Sequence, residues 1–128
     1  MERIQDRPMA ILFSRMDKKE HVHYLENRYA MVQRYAREHE YYVVYGCSCF
    51  VPVKYVESRF IPFIINEWLP YVEKEEGIKK PKEITILVCF WQELVSNKKR
   101  PQFKKMLSEL GLTVKEIGNI DRHKSPHQ

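Results

Sequence analysis

Four short runs of strand-forming residues alternate with three helix-patterned stretches, and this alternation limits the fold more than any other feature of the chain. Residues 8–14 (Pro-Met-Ala-Ile-Leu-Phe-Ser) read as a short, mostly apolar buried strand. Residues 19–39 carry Val22, Leu25, Tyr29, Val32 and Ala36 at three- and four-residue steps, leaving Arg28, Arg34, Arg37 and Glu38 for solvent. Asp17 and Glu20 have the spacing of a capping box for this helix. Residues 41–45 form a second β-rich run that ends at Gly46, and residues 47–59 show no firm period and read as a loop. A helix starts near Pro62 and runs through Phe63, Ile65, Trp68 and Val72, with Pro70 expected to kink or end it. Residues 73–83 read as a polar connection, 83–90 as a fully buried strand, 101–110 as a helix closed by Gly111, and 112–117 as a last strand. The order β-α-β-α-β-α-β predicts an α/β domain in three layers, α/β/α, around a mostly parallel four-stranded sheet with right-handed crossovers. Residues 1–118 form this single domain, and residues 119–128 a polar tail.

The chain of 128 residues is long enough to bury a core without disulfides or metal, and it excludes the collagen-like, mucin-like and disordered classes. Its longest apolar runs, 60–65 and 84–91, fall far short of the roughly 18 residues a membrane span needs. The first residues lack the apolar core of a signal peptide, so a soluble, cytoplasmic protein with no membrane partner is expected. A net charge of +5 makes an acidic partner such as nucleic acid more plausible without requiring one. The odd cysteine count (Cys47, Cys49 and Cys89) points to reduced thiols. Cys47-Ser-Cys49, with His21 and His23, could sketch a metal half-site, but no second pair at ligand spacing exists and an incidental role is preferred. No cofactor and no metal are expected.

In open α/β sheets the chemistry sits at the carboxyl ends of the strands. That directs attention to residues 15–17, 46–49 and 91–97. Asp17 could serve as nucleophile, base or metal ligand with Arg15 binding an anion, but a helix cap explains its type and its spacing to Glu20. Trp91, Gln92, Glu93 and Ser96 form a polar cluster with no base–nucleophile pair, and no glycine loop suited to a nucleotide follows the first strand. Lys98, Lys99 and Arg100, followed by Lys104 and Lys105, are the best candidate for a phosphate-contacting surface. Tyr24, Tyr29, Tyr35, Tyr41 and Tyr42 read mainly as packing rather than as stacking platforms for bases.

Ala10-Ile-Leu-Phe-Ser-Arg-Met-Asp17 resembles the first strand of the serine recombinases (resolvases, invertases and phage integrases), which read Tyr-x-Arg-x-Ser there. Tyr24-Leu-Glu-Asn-Arg28 is similar to the Ser-Leu-Glu-x-Gln that follows in that family. Residues 34–44 resemble its helix end and second strand, and 84–88 the strand before its Asp-Arg-Leu-Ser-Arg motif. The resemblance covers about residues 10–118 and implies a resolvase-like fold of flavodoxin-like topology. Carried over by position, Phe13 stands for the tyrosine, Arg15 for the first active-site arginine and Asp17 for the nucleophilic serine. Gln92, Glu93 and Ser96 stand in the Asp-Arg-x-x-Arg region. (A rival alignment sets Arg100-Pro-Gln-Phe103 on the family's Arg-Pro-x-Phe and Asp121-Arg122 on its Asp-Arg, at the cost of a long insertion after Phe50.)

Such chemistry needs a hydroxyl nucleophile and arginines on the scissile phosphate. Carboxylates at positions 17 and 93 would repel that phosphate, leaving only Arg15 and Arg59 as ligands. Nor do the eleven residues after Ile117 suffice for the family's long helix and DNA-binding domain. The resemblance therefore implies a domain without strand-exchange activity, an accessory or regulatory partner in DNA recombination of a mobile element. It would contact DNA through Arg15, Arg59, Lys98, Lys99, Arg100, Lys104 and Lys105, and pair with an active recombinase or with itself. The alternatives are a phosphodiester or phosphate enzyme with a divalent metal on Asp17 and Glu93, and a protein-interaction module that never meets DNA.

Overall fold

A computed structural model describes residues 7–75 and 84–118. Strand β1 (Met9–Met16) leads through a short 3-10 turn (Lys19–His21) into helix α1 (Val22–Glu38) and then β2 (Tyr42–Phe50). A continuous helical stretch over residues 53–75, here α2, follows. Strand β3 (Ile84–Val88), a 3-10 turn (Trp91–Glu93), helix α3 (Arg100–Glu109) and β4 (Leu112–Glu116) complete the order. The four strands form one parallel sheet in the order β2-β1-β3-β4, the expected three-layer α/β fold. The expected tail, residues 119–128, with Asp121 and Arg122, lies outside the described residues, as does 76–83 of the connection expected over 73–83, while residues 73–75 belong to α2 instead.

Strand alternation sorts the core into two halves. Ala10 and Leu12 of β1, with Leu87 and Cys89, pack against Val32 and Ala36 of α1. Ile11 and Phe13, with Ile84, Ile86 and Val88, face the other way, onto α2 (Val56, Ile61, Ile64, Trp68 and Leu69) and Leu107 of α3. Every residue of β3 is buried, as expected of a parallel strand covered on both faces. Gly111, at φ +80°, takes the left-handed conformation that ends α3 where the sequence places a stop.

Three expectations are corrected. First, β2 does not end at Gly46, and residues 47–59 are not a loop: the strand pairs with β1 as far as Met16–Phe50, and α2 begins at Val53. A register shift opposite Ala10 and Ile11 inserts Val44 as an extra residue. Beyond it Tyr45, Cys47 and Cys49 turn to the core while Gly46 and Ser48 are exposed, an alternation of small residues that hides the period.

Second, Pro70 neither ends nor starts a break in α2. Wide π-helical turns at Val56–Phe60 and Ile64–Trp68 come just before Pro62 and Pro70, which fall in the α-helical pieces Ile61–Phe63 and Leu69–Glu75. Proline offers no N–H and crowds the carbonyl one turn back; the wider turns accommodate both effects.

Third, Asp17 caps nothing. The 3-10 turn and α1 begin without a side-chain cap, and Asp17 turns back to pair with Arg15. Val22, assigned to the buried stripe of α1, is 38% exposed, so the buried stripe begins at Leu25.

Gly46 marks a close approach of α1 to β2. A Cβ built there would fall on the Tyr29 hydroxyl, while the next atom of that ring, Cζ, stands at 3.4 Å. Because Gly46 is exposed and the clashing atom is the outer end of the Tyr29 side chain, Gly46→Ala is expected to cost about 0.5–1.5 kcal/mol, the strain of swinging that ring aside. Tyr29→Phe, which removes only the clashing oxygen, should recover most of that loss in a double-mutant cycle of urea melts. Equal destabilisation in the presence and absence of the hydroxyl would show that the clash is not the cause.

Candidate functional site

The chain leaves β1 toward β2 and leaves β3 toward β4, so its connections diverge between the two central strands. Open α/β sheets form a ligand crevice at such a point, at the carboxyl ends of the strands. Here that point holds Arg15 and the turn Trp91–Glu93, joined to each other by hydrogen bonds.

Arg15 is 8% exposed. Its Nε donates to the Glu93 carbonyl at 2.8 Å and its Nη2 to the Gln92 carbonyl at 3.0 Å. Nη1 donates to the Val51 carbonyl at 2.8 Å and to Asp17 Oδ1. One guanidinium thus ties together the ends of β1 and β2 and the turn after β3, and four of its donor contacts go to protein acceptors.

Glu93 is 2% exposed and works from the other side of the same joint. Its Oε1 accepts the Arg15 backbone N–H at 2.9 Å and its Oε2 the Phe90 N–H at 3.0 Å. Arg28 of α1, whose guanidinium lies 5.0 Å from the centre of the Phe90 ring, approaches Glu93 at 3.9 Å. Burial pushes the Glu93 carboxyl above the usual carboxylate range; the two N–H bonds and the arginines oppose that rise without cancelling it. Arg28, assigned to solvent from its place on the helix, is instead half-buried over this joint.

A second joint was missed because it lies in the segment read as a loop. Glu57 of α2 accepts the Ser96 N–H at 2.9 Å through Oε2 and lies 3.3 Å from Lys99 Nζ through Oε1. Burial raises its pKa, but the Ser96 N–H and Lys99 outweigh that and hold it below the usual range. Sequence offers no signal for this contact beyond the presence of a carboxylate and a lysine 42 residues apart.

The structure therefore brings Arg15, Asp17, Gln92 and Glu93 together, with Ser96 contributing its backbone to the neighbouring joint. Gln92 takes part through its carbonyl while its residue surface is exposed. Asp17 and Glu93 do not form an open carboxylate pair for a divalent metal: they flank Arg15, and both Glu93 oxygens already accept backbone N–H groups. Ser14, the one hydroxyl within β1, is fully buried, 3.4 Å from Ser48 Oγ.

The basic residues divide into two groups. Lys99 is paired with Glu57, and Arg100 lies 4.8 Å over the Trp91 ring with Glu116 at 3.9 Å. Lys98, Lys104 and Lys105 are exposed around the start and outer side of α3, and Arg59 is exposed on α2. Lys104 and Lys105 also border a groove of about 480 Å³ between α3 and β4, floored by Trp91, Leu107, Leu112 and Val114.

Among solved structures the chain is similar to the C-terminal catalytic domain of ISC1926 TnpA, an IS607-like serine recombinase. The match has a TM-score of 0.60 at 12% identity and covers 91% of this chain and 74% of that one. The chain has a serine recombinase-like fold. No family model and no curated protein matches its sequence, so the likeness is one of architecture. Within this recombinase-like fold the strand ends are occupied by an internal network of ion pairs and hydrogen bonds. Among the described residues no helix is long and apolar enough to cross a membrane.

Proposed function

We propose that this recombinase-like domain engages DNA without cutting it, as an accessory or regulatory partner in the recombination of a mobile element. It would pair with an active recombinase or with a second copy of itself. The observation that carries this reading is the state of Arg15. At the position where the resemblance requires a phosphate ligand, the guanidinium is buried and bound to Asp17, Val51, Gln92 and Glu93. A phosphate entering there would have to displace those partners and face the Asp17 carboxylate.

Contact with DNA falls instead to the exposed cations. Lys98, just before α3, and Lys104 and Lys105 on it are exposed, with Lys99, Arg100 and Arg59 as further candidates whose partners or positions differ. The test is binding to a fluorescent duplex followed by anisotropy across a salt series. Affinity should fall steeply with salt, and replacing Lys98, Lys104 and Lys105 by alanine should reduce the log–log slope by about 0.9 for each phosphate no longer neutralised. Absence of binding at low salt would overturn the DNA reading and leave a protein-interaction module.

A further inference from the structure

We propose that the outer face of α2 is a contact between two copies of this chain, packed antiparallel about a two-fold axis through Phe63. The helix buries Val56, Ile61, Ile64 and Trp68 in the core. On its exposed side Tyr55, Arg59, Phe63, Glu67 and Tyr71 follow one another at steps of four. An α-helix of 3.6 residues per turn drifts off such a row, but the wider π turns at Val56–Phe60 and Ile64–Trp68 hold it in line. The three rings keep 51%, 37% and 61% of their surface in water. A row of aromatic rings is a patch, unlike the scattered single apolar residues that any surface carries.

The order of the row selects the occupant. From either end it runs aromatic, charged, aromatic, charged, aromatic, and its two charges are opposite. Antiparallel pairing sets Phe63 on its own counterpart, Tyr55 on the partner's Tyr71 and Arg59 on the partner's Glu67, the last two contacts each occurring twice. Parallel pairing in register would set like charges together. Among the described residues neither the Arg59 nor the Glu67 side chain has a hydrogen bond or ion pair within the chain, so both are available across such a contact. Lys54 and Lys74, also exposed, flank the row near its ends, where solvent screens them. Tyrosine, phenylalanine and arginine are the residue types that interfaces favour, and a contact of this symmetry closes as a dimer. The inference rests on the pairing part of the proposed function, with a second copy as the partner, and not on contact with DNA.

The test is sedimentation equilibrium of the full chain over a range of concentrations, without nucleic acid. The native chain should reach twice its 15.5 kDa. Arg59→Glu and Glu67→Arg each put like charges face to face and should weaken self-association by about tenfold or more. Mixing the two variants should restore a dimer, because an acidic row then meets a basic one; that recovery also shows that both variants fold. A native chain that stays monomeric, single variants that dimerise as well as the native chain, or variants that stay monomeric when mixed would overturn the surface. Anisotropy with duplex DNA is read separately. DNA binding by a chain that stays monomeric overturns this surface and keeps the DNA reading, whereas a dimer that binds no DNA does the reverse.

Discussion

Glu93→Ala is expected to cost about 3–5 kcal/mol of folding stability, the range for breaking a buried ion pair from one side. The substitution leaves the backbone N–H groups of Arg15 and Phe90 buried without acceptors and removes the carboxylate facing Arg15 and Arg28. Glu93→Gln should cost less, since its carbonyl still accepts one N–H while its amide nitrogen opposes the other. The two variants also separate by pH. Because burial raises the folded-state pKa of Glu93, the stability linked to its protonated form is fully present below the ordinary carboxylate range. That contribution is lost as pH rises through the folded-state value. Glu57, held below the usual range, works in the opposite sense: its contribution is present above that range and lost on acidification. Urea melts from mildly acidic to neutral pH should therefore show a falling Glu93 contribution that Glu93→Gln abolishes. A Glu93→Ala protein of native stability would mean that the joint between β1 and β3 does not hold the fold.

Phe13→Ala should also cost about 3–5 kcal/mol, through lost burial and the cavity left behind. Phe13 is fully buried on central β1, with its ring 4.8 Å from that of Phe60 on α2. Ile11 and Phe13 are the β1 side chains that meet α2, so the loss falls on the packing that joins the sheet to that layer. Phe13→Leu, which keeps most of the volume, should cost clearly less. Phe13→Tyr restores the residue type implied by the recombinase resemblance but brings a hydroxyl into an apolar cluster, and it should destabilise rather than improve the protein. Thermal or urea unfolding checks the order Ala > Leu; equal losses would show that the cavity is not what the protein feels.

The sheet was legible because its central strands advertise themselves. Residues 84–88 are β-branched or aliphatic throughout, as a strand covered on both faces must be, and 8–14 nearly so. The second half of β2 was not legible, because Gly46, Cys47, Ser48 and Cys49 are too small and mixed to show a period of two. Nor was α2, since two prolines and two π turns disturb the spacing on which a helix is recognised. At the candidate site, position alone picked out Arg15, Asp17, Gln92 and Glu93. The network that joins them was hidden because its key contacts are long-range: Arg15 and Glu93 stand 78 residues apart. Asp17 had two partners available, the start of a helix and a guanidinium two residues back, and local spacing favoured the one it does not use. Arg28 fits the polar face of a helix in sequence, and only the packing of Phe90 brings it over the crevice.

The proposed function is that this recombinase-like domain would meet DNA without cutting it. Incubating the full chain with supercoiled plasmid, with and without Mg²⁺, tests it most directly on an agarose gel. Unchanged supercoils and no protein–DNA adduct are expected under either condition, for the native chain and for Asp17→Ser alike, because Arg15 keeps the Val51, Gln92 and Glu93 carbonyls as partners in both. Relaxation or cleavage by the native chain that disappears in Asp17→Ala would contradict it and make Asp17 a catalytic residue.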